Sequence, residues 1–171
     1  MADDLLLHPF RFRVDFFAGT GPVAAGGEAV PLCSGAFSEV SGLEATMEPK
    51  AIKEGGWNRG ERQRAGRVGF SPVVLKRGVT PVQHLWRWFD LVAGGRYAVR
   101  LDARIVHLGP DSFLDDALDG SGRLEWRLQG CLPTRFRAPT FDARGNEVAV
   151  EELHFVHEGL SQVTHGSGGL F

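Results

Sequence analysis

TPVQHLWRWFDLV, residues 80–92, is the one strongly helical stretch of the chain, and the segments around it read as strands and turns. Thr80 can serve as N-cap, Pro81 suits the first helical position because its missing N–H costs nothing there, and Gln83 completes a capping box. Gly94 and Gly95 supply the stop. At about 100° per residue, Val82, Leu85, Trp86, Phe89 and Val92 share one stripe, opposite Gln83, Arg87 and Asp90. Trp88 widens that stripe. The expectation is a helix that covers a sheet face or plugs its end, with Trp86 and Trp88 as packing residues.

Toward the amino terminus, VGFSPVVLK (68–76) has strand character, and Pro72 marks a bulge or an edge. Residues 50–67 are polar and glycine-rich, with Trp57, Arg59, Glu61, Arg62, Arg64 and Arg67 close together, and read as an exposed loop or long hairpin. In GAFSEVSGLEATME (35–48), Leu43, Ala45 and Met47 alternate with Glu44, Thr46 and Glu48 as a strand, and Gly42 marks a bend. Residues 18–31 read as a long turn. FRFRVDFF (10–17) is a half-buried strand with Phe10, Phe12, Val14 and Phe16 on one face.

Beyond the helix, YAVRLDARIVHL (97–108) begins as an alternating strand, and residues 109–122 form an acidic insert. RLEWRLQGCL (123–132) places Leu124, Trp126, Leu128 and Leu132 inside and Arg123, Glu125 and Arg127 outside. A loop is expected from Phe136 to Asn146, a last strand over EVAVEELHFVH (147–157), and fraying after Leu160. The fold class expected is mainly β: an antiparallel barrel or sandwich with one flanking helix, in a single domain spanning 1–171 with flexible ends near 1–8 and 161–171.

A chain of 171 residues with 43% hydrophobic content buries a core without metal or disulfide, and a net charge of −2 excludes a dedicated nucleic-acid binder. Cys33 and Cys131 lack CxxC spacing and read as a reduced pair. The acidic start MADD and a run of only three leucines exclude a secretion signal, and no apolar run approaches the ~20 residues that span a bilayer. A soluble chain, cytoplasmic until it assembles, is the expectation.

No catalytic constellation is present. His154 and His157, three apart on a strand, point to opposite faces and cannot share a metal. Asp111, Asp115, Asp116 and Asp119 do not have calcium-loop spacing. GxSxG, HExxH, Walker and GxGxxG patterns are all missing. The expectation is a protein without catalytic residues, cofactor or metal. The arginine cluster reads as a solvated or protein-contacting loop, since Trp57 is the only stacking aromatic near it.

FSEVSGLEATME (37–48), KEGG (53–56), VVLKRGVT (73–80) with the W-x-W helix, and NEVAVEELHFVHEGL (146–160) resemble the tail tube family of contractile phage tails and extracellular contractile injection systems. That family is similar in fold to the type VI secretion tube protein. The resemblance implies an inner tube protein: homohexameric rings stacked into a hollow tube inside a sheath, with sheath and baseplate proteins as partners. It also implies cargo in the lumen, nucleic acid there only if a phage genome passes, and no membrane partner. The loop carrying Trp57, Arg59, Glu61, Arg62, Arg64 and Arg67 becomes the ring-stacking element. The long 18–31 turn, the 109–122 insert and the arginine-rich loop depart from the family pattern and open a second reading, a tube-initiator ring on the baseplate. A ligand-binding β-domain would instead need a concave aromatic patch.

Overall fold

The computed structural model describes residues 12–18, 29–30, 37–53, 55, 60–81, 83–96, 98–107, 123–140 and 149–165. Its strands are β1 (Phe12–Ala18), β2 (Ala29–Val30), β3 (Phe37–Ser41), β4 (Ala45–Met47), β5 (Lys50–Ile52), β6 (Arg62–Arg64), β7 (Val68–Phe70) and β8 (Val73–Gly78). After helix α1 (His84–Ala93) come β9 (Leu101–His107), β10 (Arg123–Arg137), β11 (Val150–Val156) and β12 (Gly159–His165). The main sheet runs β2-β1-β9-β10-β11-β8-β3, with β12 also on β10.

Strand β10 organises this sheet. Its first part, Arg123–Gln129, lies between β9 and β12, and its last part, from Leu132, pairs with β11. Between them Gly130 adopts φ +61°, and its N–H donates to the buried Asp102 carboxylate at 2.8 Å. The bulge bends the strand so that two sheet halves face each other in an open, sandwich-like arrangement. Between the halves sit Val14 and Phe16 of β1, Ala103 and Ile105 of β9, Leu128, Val73 and Leu75 of β8, and Leu153 and Phe155 of β11.

The alternation read for β1 holds at Val14 and Phe16, both buried. In β10 the outcome is mixed. Leu128 is buried, but the extra residue at the bulge shifts the phase, so Cys131 and Pro133 turn inward and Leu132 is only half-buried. Glu125, expected outside, is also buried, paired with Arg127. The strand runs on to Arg137, through the start of the expected loop. Likewise Ser161–His165, expected to fray, forms β12 on the free side of β10. Strand β9 starts at Leu101, later than Tyr97, which lies outside the described residues together with the 109–122 insert.

Helix α1 starts at His84, with Gln83 at the N-cap position and no side-chain cap bond. Thr80 is not the cap, because the chain is still leaving the sheet there: the Val79 N–H donates to the Ala149 carbonyl at 3.0 Å. Leu85, Trp88 and Val92 form the buried face. Trp86, expected on that face, is instead 45% exposed, while Phe89 is half-buried and Val82 lies outside the described residues. The tryptophans are two positions apart, about 200° around the helix, so only one of them can face the core. That one is Trp88, whose ring centroid lies 5.2 Å from that of Phe16 and 6.3 Å from that of Phe155.

Arg77 continues the inward phase of Val73 and Leu75 along β8, as Glu151 does that of Leu153 and Phe155 along β11. The two stand opposite each other in register and are buried as a directly bonded ion pair. Truncating Arg77 to alanine leaves a carboxylate buried without its partner, and is expected to cost about 3–5 kcal/mol in chemical denaturation. Replacing both by Met and Leu should cost far less, because no orphaned charge remains.

Candidate assembly surfaces

Strands β4 to β7 form a nested antiparallel ribbon, β4 on β7 and β5 on β6, outside the main sheet. Residues 44–53 and 60–65 of this arm are all exposed. The segment expected as one strand over 35–48 is therefore broken: β3 belongs to the main sheet, Gly42 turns the chain at φ +86°, and β4 starts the arm. A side chain at Gly42 would put its Cβ 2.1 Å from the Pro72 carbonyl oxygen, and one at Gly66 would be 1.8 Å from that of Glu48. Both glycines thus permit close approach of the two limbs. At the root, the Ser71 N–H donates to the Glu44 carbonyl at 3.2 Å and its hydroxyl to the Glu44 carboxylate at 3.0 Å.

The root and the outer part of the arm carry different chemistry. Met47 lies directly across from Val68, and they are 52% and 41% exposed, so the proximal part is apolar. Farther out, Lys50 is opposite Arg64 and Ile52 opposite Arg62, which puts three cations on one face. Directly opposed like charges destabilise an isolated ribbon. Of the residues singled out in the sequence, Arg62, Arg64 and Arg67 are placed on this arm, and Glu61 pairs with Lys53 at 3.7 Å. Trp57 and Arg59 lie outside the described residues.

A second surface differs from the sequence expectation, which put both tryptophans in the packing. Trp86 packs edge-on against Phe136 of β10, with centroids 5.3 Å apart, and lies 5.8 Å from Phe89, making an aromatic ledge on the outer side of α1. The signal was present in the two-residue spacing of the tryptophans, which cannot both be core. Further surface comes from sheet edges: among the described residues, β3 and β12 each pair with one neighbour only.

His154 and His157 do not form a site. His154 lies 3.6 Å from Glu152, whereas His157 is buried against Phe70 with Nδ1 3.0 Å from the Gly159 carbonyl. No group of metal-binding side chains occurs among the described residues. Burial, then the negative charge of Asp102, pushes the Cys131 thiol up to about 12, which leaves it unreactive; Cys33 lies outside the described residues. A cavity of about 300 Å³ opens beside β3, with Phe12, Leu43, Ile105 and Trp126 among its walls. Its carboxylate, Glu39, is already held by Lys76 at 2.9 Å. No helix among the described residues is long and apolar enough to cross a membrane.

An open antiparallel sandwich, a covering helix, sheet edges open to pairing and a projecting two-stranded arm together define a tail-tube-like fold. The chain belongs to the family of the T4-like virus tail tube protein gp19, which matches residues 8–161. It is similar to a chain in the cryo-EM structure of the anti-feeding prophage baseplate, at 25% identity and TM-score 0.70, over 96% of this chain and 99% of the other. A chain of the PVC extracellular contractile injection system sheath-tube complex in the extended state shares the fold at 21% identity and TM-score 0.67, over 95% of each. A type six secretion system protein shares it more distantly, at 8% identity and TM-score 0.50, over 89% of this chain and 83% of that one. No curated protein sequence matches significantly. The protein is thus a tube-like component of the contractile tail and injection class, whose relatives are structural proteins and not enzymes.

Proposed function

We propose that this chain is an inner tube subunit of a contractile injection particle or phage tail, forming homohexameric rings that stack into a hollow tube inside a sheath. The arm carries this reading. A solvated ribbon with Lys50 facing Arg64 and with Met47 and Val68 exposed gains nothing by itself, but a neighbouring ring can cover its apolar root and neutralise its cations. The open edges of β3 and β12 support closure around a ring, since edge pairing in a closed set removes the hazard of open-ended aggregation. In this role the chain assembles in the cytoplasm and ends in an extracellular particle, with sheath and baseplate proteins as partners and cargo, or a phage genome, in the lumen.

A second reading, a tube-initiator ring joining tube to baseplate, draws support from the likeness to a chain in the anti-feeding prophage baseplate. Mass photometry of the purified protein at micromolar concentration, followed by negative-stain microscopy, tests both. Hexamers or their polymers are expected. Tubes favour the main tube role, single rings that grow only with added tube protein favour the initiator, and a strict monomer that binds neither sheath nor baseplate proteins rejects the assembly reading.

A further inference from the structure

The arm meets the sandwich at a titratable side chain. His157, in the turn between β11 and β12, is 8% exposed, and its ring centroid lies 5.0 Å from that of Phe70, the last residue of β7. Its Nδ1–H donates to the Gly159 carbonyl at 3.0 Å, which fixes the tautomer and leaves Nε2 as the bare nitrogen. That Nε2 is buried and has no hydrogen-bond partner. A neutral imidazole leaves one acceptor unpaired in this seat, which costs less than an unpaired charge would. Protonation would put a charged N–H donor there with nothing to accept it.

The charged side chains on the flanking elements are engaged elsewhere: Glu158 with Arg100 at 2.5 Å, Asp102 with the Gly130 N–H at 2.8 Å, and Glu44 with Ser71 at 3.0 Å. Burial accordingly pulls the His157 pKa below its ordinary 6.5, with the Gly159 carbonyl opposing more weakly. A lowered folded value means that the stabilisation is complete above 6.5 and is lost as pH falls through that lowered value.

We propose that His157 is an acid-operated latch for the arm: neutral, it seats Phe70 and the arm root against the sandwich; protonated, it leaves its seat and the arm swings about Gly42. The inference rests on the fold and not on the tube reading. Hydrogen exchange of the full chain at pH 7.5 and 5.0, corrected for intrinsic rates, tests it. The arm-root amide of Ser71, bonded to Glu44 beside Gly42, should lose protection as pH falls from 6.5 through the lowered His157 value, by at most about tenfold for each pH unit in that window. His157→Gln and His157→Phe should abolish that acid loss, and His154→Gln should keep it. Wild-type protection that does not change with pH overturns the latch, as does an acid loss that survives in either His157 variant folded at pH 7.5. If neither variant folds, the wild type decides alone: the imidazole titration followed by NMR must share its midpoint with arm opening, and separate midpoints reject the proposal.

Discussion

Replacing Trp88 by alanine is expected to lower the unfolding free energy by roughly 3–5 kcal/mol, through lost burial and the cavity left behind. Trp88 is 3% exposed and wedged between Phe16 of β1, which it meets edge-on, and Phe155 of β11, so through it α1 touches both sheet halves. Those strands are far apart in sequence. At this chain length each kcal/mol is worth about 2–4 °C in Tm. Trp86→Ala removes a half-exposed ring with its contacts to Phe136 and Phe89, and should cost about 1 kcal/mol. Guanidinium denaturation followed by circular dichroism separates the two, and equal losses would reject the assigned buried face. Trp88→Phe should fall between them, since it keeps the packing ring and removes an indole N–H that has no partner.

If the chain forms stacked rings as proposed, charge reversal on the arm, Arg62→Glu with Arg64→Glu, is expected to abolish or greatly shorten tubes while leaving fold and single ring intact. Both residues are exposed on β6, which among the described residues pairs only with β5, so their replacement touches no core contact. Within the arm the reversal even relieves the opposition between Lys50 and Arg64. Against an acidic neighbour, such as Glu44, Glu48 or the acidic insert of the next ring, it turns attraction into repulsion. One exposed pair is worth only ~0.2–1 kcal/mol, but repetition around a closed ring sums such pairs to several kcal/mol per ring interface. Salt should weaken wild-type stacking for the same reason. Sedimentation and electron microscopy read tube length directly, and tubes of normal length from the double variant at both low and high salt would assign stacking to other surfaces.

The fold class was legible because period-2 alternation and one 3.6-period segment are local properties. Val14 and Phe16 face inward as the pattern of β1 requires, and Leu85 and Val92 lie on the helical stripe. The family motifs likewise survive in the linear sequence. Residues 50–67 could be read as a hairpin because no apolar face runs through their arginines.

What the sequence could not decide depended on partners distant in the chain. Helix start was delayed past Pro81 by the Val79 N–H remaining bonded to Ala149, and the choice of Trp88 over Trp86 for the core was set by its contacts with Phe16 and Phe155 on distant strands. The inward turn of Cys131 followed from a bulge at Gly130 that Asp102, on another strand, holds in place. Residues 161–165 became a strand because β10 offered them a free edge, a contact that no local propensity records. The burial of His157 is of the same kind: its seat is formed by Phe70, reached across the sheet from an arm that the sequence shows only as polar and glycine-rich.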